Sequence, residues 1–150
     1  MLPAYRDGQW SYTVERWGAN AVKEICFPDE SCDFAAMSEE GSVFLGAYDG
    51  ETCVGLAILQ PGFFKYMYLY DLKVSGAYRG QGVGQRLIER AKEIAAQQNY
   101  RGLYTQGQDN NPGACLFYLK SGIRIGGLDT DLYRHTAQEG KADIIFYIDC

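Results

Sequence analysis

The sequence predicts a mixed α/β or α+β fold: one central sheet with flanking helices. Three observations carry this. A hairpin signal, Asp49-Gly50, joins two strand-like runs. A loop with glycine at every second position, Gly80, Gly82 and Gly84, leads from a third strand into an amphipathic stretch. Beyond it, Asn111-Pro112 opens a second helix, and two more strand-like runs follow. At 150 residues the chain has the size of a single domain, 1–150, and its 47% apolar content suffices for a core.

In chain order, Trp10 to Val14 starts either a strand or a helix, and Gly18 to Cys26 is a helix with Ala21, Val22 and Ile25 on one face. Asp29 to Glu40 is acidic and loop-like. Val43 to Tyr48 reads as a strand, Asp49-Gly50 as a turn that tolerates positive φ, and Cys53 to Leu59 as the returning strand. Pro61-Gly62 breaks it. In the third strand, Tyr66 to Val74, the even positions Tyr66, Tyr68, Tyr70, Leu72 and Val74 are all aromatic or aliphatic, which places Asp71 on the opposite face. A helix then runs to about Gln98. Val83, Leu87, Ala91 and Ile94 form its apolar stripe, with Ile88 and Ala95 beside them, and Arg86, Glu89, Arg90, Lys92 and Glu93 its wet face. Gly102 to Thr105 is a short strand. The next helix has Asn111 as N-cap and Pro112 at its first position, and stops at Gly122. Strands over Ile123 to Leu128 and Asp143 to Ile148 close the chain.

Composition narrows the function. A net charge of −5 repels phosphate backbones, which argues against nucleic acid. No apolar run approaches the ~20 residues of a membrane helix, and Met1 to Asp7 has no apolar signal-peptide core. The five cysteines, Cys26, Cys32, Cys53, Cys115 and Cys150, are odd in number and form no C-x-x-C pair, so free thiols in a cytoplasmic setting are expected. With His135 as the single histidine, a zinc site is not expected.

The glycine loop is the chemically informative segment. Helix N-termini present unpaired N–H groups and partial positive charge, and absent Cβ atoms let a phosphate approach them. Arg79-Gly80-Gln81-Gly82-Val83-Gly84 is therefore a candidate pyrophosphate cradle. It is not a P-loop, because no Lys-Ser or Lys-Thr follows. Nor is it a dinucleotide fingerprint, since Gln85 stands where the third glycine would fall.

The arrangement resembles the acetyl-CoA signature of the GNAT acetyltransferase superfamily, [Q/R]-x-x-G-x-[G/A], through Arg79, Gly82 and Gly84. A second superfamily pattern, N-x-x-A-x-x-x-Y-x-x-x-G, is met by Asn111, Ala114, Tyr118 and Gly122, with Ile123 where Phe is usual. Together the two segments cover about 65 to 127. Within the superfamily the chain is most similar to the streptothricin acetyltransferase group, through Gln108-Asp109-Asn110-Asn111, Ala114-Cys115, Phe117-Tyr118, Ile125-Gly126, Asp129-Thr130 and Leu132-Tyr133. Trp10-Ser11-Tyr12-Thr13 is faintly similar to an early W-T-F-T of that group, and the chain is shorter before it, so part of the usual first strand is expected to be missing.

The resemblance implies a GNAT fold whose central sheet splays at an acetyl-CoA cleft. It implies that acetyl-CoA is the cosubstrate and that a primary amine of a small molecule is acetylated, with a streptothricin-like antibiotic or a polyamine as candidates, which would make the chain an antibiotic-resistance enzyme. Pantetheine would pair with the backbone at Leu72 and Val74. The pyrophosphate would rest on the loop of Arg79, Gly80, Gln81, Gly82, Val83, Gly84 and Gln85, with Asn111 also in the cofactor region. The Leu72 N–H would stabilise the oxyanion. Tyr118 would donate a proton to the leaving thiolate.

A base is less clearly marked. Tyr70 stands where many relatives have glutamate, which leaves Asp71 as candidate base or, equally, as a structural acceptor. Gln106 replaces an acidic residue of the streptothricin group. Two lost charges weaken the case for a cationic drug, although Asp129 and Asp131 could compensate. His135 is read as a surface-loop residue and Cys115 as core. Other readings are a protein N-acetyltransferase acting on a lysine or N-terminal amine, and a non-catalytic acyl-CoA sensor. A homodimer is carried as a candidate assembly.

Overall fold

The computed structural model describes residues 1–15 and 33–150. The helix expected over Gly18 to Cys26 lies outside the described residues, as does the start of the acidic stretch. Eight strands are described: β1 (Leu2–Arg6), β2 (Gln9–Thr13), β3 (Val43–Asp49), β4 (Thr52–Gln60), β5 (Tyr66–Val74), β6 (Gly102–Gln108), β7 (Arg124–Asp129) and β8 (Asp143–Asp149). The helices are α1 (Phe34–Glu39), α2 (Val83–Gln97) and α3 (Pro112–Lys120). β1 and β2 pair alone, and the other strands form a mixed six-stranded sheet in the order β3-β4-β5-β6-β8-β7.

The described residues fall into two compact units: 1–15 with 106–146, and 33–105 with 147–150. In the first, β1 and β2 form an antiparallel hairpin whose turn is Asp7-Gly8, at φ 52° and 79°. Both turn residues sit left-handed, as a type I′ hairpin requires. Trp10 to Val14 is thus resolved in favour of a strand. The core of this unit is Cys115, Tyr118, Ile123, Ile125, Ile144 and Phe146.

In the second unit, β3, β4 and β5 run antiparallel. The β3–β4 turn sits one residue later than the sequence suggested. Asp49 pairs with Thr52, so the loop is Gly50-Glu51, with Gly50 at φ 59°. Part of the stretch expected to be loop is helical: Asp33 caps α1, its carboxylate accepting from the Ala36 N–H at 3.1 Å.

α2 packs Leu87, Ile88, Ala91, Ile94 and Ala95 inward, as its periodicity predicted. Gly55 on β4 permits this approach. A Cβ there would meet Val83 Cγ1 at 3.0 Å and Leu87 Cδ1 at 3.1 Å.

β5 spans the predicted residues, but not with one uninterrupted alternation. Its register with β4 slips between Leu59↔Leu69 and Ile58↔Asp71, which makes Tyr70 the extra residue of a β-bulge. Opposed residues share a face. Leu69, Leu72 and Val74 therefore lie with Leu59, Ala57 and Gly55, on the face that α2 covers. Asp71 lies with Ile58 on the face of Tyr68. The even positions are thus divided between two faces, and Asp71 is on the side of Tyr68 instead of across from it.

Candidate functional site

The end of β5 is where the sheet changes character. β5 pairs in parallel with β6 only from Tyr66↔Gly102 to Tyr68↔Tyr104. The buried Thr105 hydroxyl then donates to the Leu69 carbonyl at 2.8 Å. From the Tyr70 bulge onward, β5 keeps its β4 partner and has no β6 partner. Backbone groups along that edge need other partners. Leu72 and Val74, the residues expected to meet pantetheine, lie in this stretch.

Between β5 and α2 the chain makes a 3₁₀ turn, Gly76–Tyr78, and then the glycine loop. Gly82 caps α2 from the left-handed region, at φ 81° and ψ 6°, with no side chain filling the cap and no acidic residue in the first turn. The first bond into the helix runs from Arg86 N–H to Gly82 O at 3.0 Å, so the amides of Val83, Gly84 and Gln85 precede the intrahelical ladder. A Cβ on Gly80 or Gly82 would meet nothing within 4 Å. Here the glycines serve positive φ and open backbone at a helix N-terminus, which is what an anion needs. Arg79 turns back, its Nε donating to the Val74 carbonyl at 3.2 Å, and Gln81 Nε2 donates to Ala77 O at 3.1 Å. The loop thus presents open backbone at a helix N-terminus, and the second half of β5 runs beside β4 alone, beyond its pairing with β6.

Asp71 is half-buried and forms an ion pair with Lys73, Oδ2 to Nζ at 3.0 Å. Its face carries a tyrosine cluster: Tyr68 stacks on Tyr104 at 4.8 Å between centroids, Tyr70 meets Tyr68 edge-on at 6.0 Å, and Tyr66 meets Tyr147 at 5.0 Å. Burial raises the pKa of the Tyr104 phenol, with a further push from Tyr147. Tyr70 is 48% exposed.

The remaining candidates lie in the other unit. Asn111 caps α3 as predicted, Oδ1 accepting from the Ala114 N–H at 3.4 Å, with Pro112 at its first position. Tyr118 is buried on α3, its ring against Phe117 and Phe146 at centroid distances of 5.8 and 5.3 Å. Cys115 is fully buried, and burial pushes its thiol up to about 11, which removes it as a nucleophile and supports core packing. His135 is exposed in a turn at φ 65°, its N–H donating to Glu139 Oε2 at 3.0 Å. Asp129 caps its own loop, accepting from the Asp131 and Leu132 amides at 2.9 Å. Half-buried Gln106 lies on β6.

The sequence reading missed a polar network in this unit. Gln108 Nε2 donates to the Tyr133 hydroxyl at 2.9 Å and to Gln138 Oε1 at 2.7 Å, and Tyr133 donates to the buried Asp143 carboxylate at 2.7 Å. Burial raises Asp143, helped by the Asp129 and Asp109 charges and opposed by the Tyr133 bond. Burial likewise pushes Tyr133 up to about 12. Partners 25 and 30 residues apart in sequence leave no local signal. Among the described residues, no group of three or more His, Cys, Asp or Glu is placed to hold a metal ion, and no helix is long and apolar enough to cross a membrane.

The profile of the Acetyltransferase (GNAT) family matches residues 2–123. Streptothricin acetyltransferase A of Bacillus subtilis is 33% identical over 147 residues, covering 98% of this chain and 84% of that protein. A streptothricin acetyltransferase of Escherichia coli is 31% identical over 110 residues, covering 73% of this chain and 63% of its own length. A Bacillus anthracis protein assigned as a streptothricin acetyltransferase, crystallised with acetyl coenzyme A, superposes with a TM-score of 0.70 at 31% identity, over 76% of this chain and 68% of that one. The chain belongs to the GNAT acetyltransferase family. It is an N-acetyltransferase, and acetyl-CoA is its cosubstrate.

Proposed function

We propose that the chain acetylates a primary amine of a small molecule, with streptothricin-like compounds and polyamines as the acceptor class. The carrying observation is the α2 N-terminus: a left-handed Gly82 cap, open space above Gly80 and Gly82, and no acidic residue in the first turn. The acceptor class rests on the names of the relatives and on the tyrosine and carboxylate face of β5, which suits a cation.

Acetyl-CoA supplies an activated thioester. Gly80 to Gln85 hold the pyrophosphate, Arg79 braces the loop from below, and Leu72 and Val74 offer backbone groups to pantetheine. Asn111 orders the start of α3. A primary alkylamine is largely protonated at neutral pH, so it must lose a proton before its lone pair attacks the carbonyl carbon. Asp71 is the proposed acceptor of that proton, and its ion pair with Lys73 must open for it to act. The Leu72 N–H stabilises the developing oxyanion. As the carbon–sulfur bond breaks, Tyr118 gives its phenolic proton to the sulfur, and the second proton of the amine nitrogen leaves through solvent and restores the phenol.

Initial rates of acetyl transfer to streptothricin, spermidine, a lysine peptide and a free N-terminal peptide test the acceptor class. Turnover of the small amines at least tenfold above either peptide is expected. Preference for a peptide would replace this reading with protein acetylation.

A further inference from the structure

Eight residues, 75–82, carry the chain from β5 to α2, and most of their bonds are local. Tyr78 N–H donates to Ser75 O at 2.9 Å, Arg79 N–H to Gly76 O at 3.4 Å, Arg79 Nε to Val74 O at 3.2 Å and Gln81 Nε2 to Ala77 O at 3.1 Å. Gly80 and Gly82 sit at φ 76° and 81°, where glycine is favoured but also costs the most order. A loop held only by itself would sample many shapes when empty. Beyond the bond to the end of β5, two contacts reach the β3–β4 hairpin. Ser75 N–H donates to Val54 O at 2.9 Å, at the root of the loop. Tyr78 OH donates to Asp49 Oδ2 at 2.8 Å, beside Arg79.

Asp49 ends β3 and is paired with Thr52 across the two-residue Gly50-Glu51 turn. That register makes the hairpin tip a fixed point. The bond from the Tyr78 phenol to the Asp49 carboxylate is exposed to solvent, so its worth is that of one ordinary hydrogen bond. The Asp49 contact raises the Tyr78 phenol above its ordinary pKa.

We propose that Asp49, at the tip of the β3–β4 hairpin, holds the glycine loop in its binding shape through Tyr78, so that this pair sets acetyl-CoA affinity without touching the cosubstrate. The proposal rests on the reading that residues 79–85 hold the pyrophosphate. Tyr78 and Asp49 are positioning residues. Their bond preorganises the loop, and its loss returns an ordering cost to the binding step.

The test is calorimetric titration of the full chain with acetyl-CoA, paired with steady-state kinetics. Tyr78→Phe and Asp49→Ala should each raise Kd and KM for acetyl-CoA about 3- to 10-fold and leave kcat at saturation unchanged, as loss of one net hydrogen bond predicts. Asp49→Asn keeps an acceptor oxygen and should stay within about twofold of wild type. The Tyr78→Phe/Asp49→Ala double variant should be no weaker than either single variant, because both remove one bond. An unchanged Kd in Tyr78→Phe overturns the proposal, as does an Asp49→Asn protein as weak as Asp49→Ala. Gly82→Asp separates the two levels. If it binds normally, the loop reading fails and the tether fails with it. If it binds weakly and Tyr78→Phe binds normally, the tether alone is refuted.

Discussion

At the scale of single residues, Tyr118 and Tyr70 carry opposite lessons. Tyr118 is buried against Phe117 and Phe146, so Tyr118→Phe keeps the ring packing and removes only the hydroxyl. Its kcat should fall by about 10²- to 10⁴-fold, the usual worth of a general acid, with acetyl-CoA affinity held. Single-turnover kinetics beside equilibrium binding check this, and near-normal kcat would show that the thiolate leaves without Tyr118. Tyr70 is the bulge residue and 48% exposed, so a charge placed there is screened by water. Tyr70→Glu should raise kcat/KM for streptothricin about two- to fivefold, through KM, as an exposed ion pair allows. No change in KM for that drug would separate Tyr70 from the acceptor.

At the scale of elements, α2 was legible because periodicity and glycine spacing are local. The same holds for Asn111 as the α3 cap, and the Asp7-Gly8 hairpin carried an equally strong signal that went unread. The β5 bulge was not legible. Residues Tyr66 to Val74 alternate smoothly in sequence, and only the register against β4 shows that Tyr70 is extra. That single insertion reassigns Asp71 to the face of Tyr68, which alone changes its standing as a candidate base. The Tyr78–Asp49 and Tyr133–Asp143 bonds were likewise hidden, because their partners meet only once the chain folds. Gly55 offers a test of how α2 is seated. Gly55→Leu forces a side chain against Val83 and Leu87, and overpacking of this kind typically costs about 1–3 kcal/mol. Chemical denaturation should show that loss together with weaker acetyl-CoA binding, since Val83 opens α2. Unchanged stability would mean that helix and sheet are not in tight contact there.

At the scale of the whole molecule, pH reports on the buried polar network. Asp143 has a raised folded-state pKa, caused first by burial. The sign follows from linkage: a raised folded pKa contributes stability that is fully present below the unfolded value, about 3.9, and lost as pH rises through the folded value. Asp143→Asn keeps an acceptor for the Tyr133 hydroxyl and cannot ionise. The melting temperature of the variant minus that of wild type should therefore grow as pH is raised from about 3.5 towards neutrality. A difference that does not vary with pH would show that Asp143 does not titrate against folding. Acid-limb behaviour of the exposed carboxylates is common to both proteins and cancels in the difference.

The central claim is that the α2 N-terminus binds the acetyl-CoA pyrophosphate, and its most direct test compares two substitutions of one residue. Gly82→Asn and Gly82→Asp have the same shape and both must adopt φ near 81°, which asparagine and aspartate tolerate better than other side chains. They differ by one negative charge. Equilibrium titration with acetyl-CoA should give a Kd at least about tenfold higher for Gly82→Asp than for Gly82→Asn, because a carboxylate a few ångströms from a phosphate costs roughly 1–4 kcal/mol. Equal affinities in the two variants would contradict the account and place the pyrophosphate elsewhere.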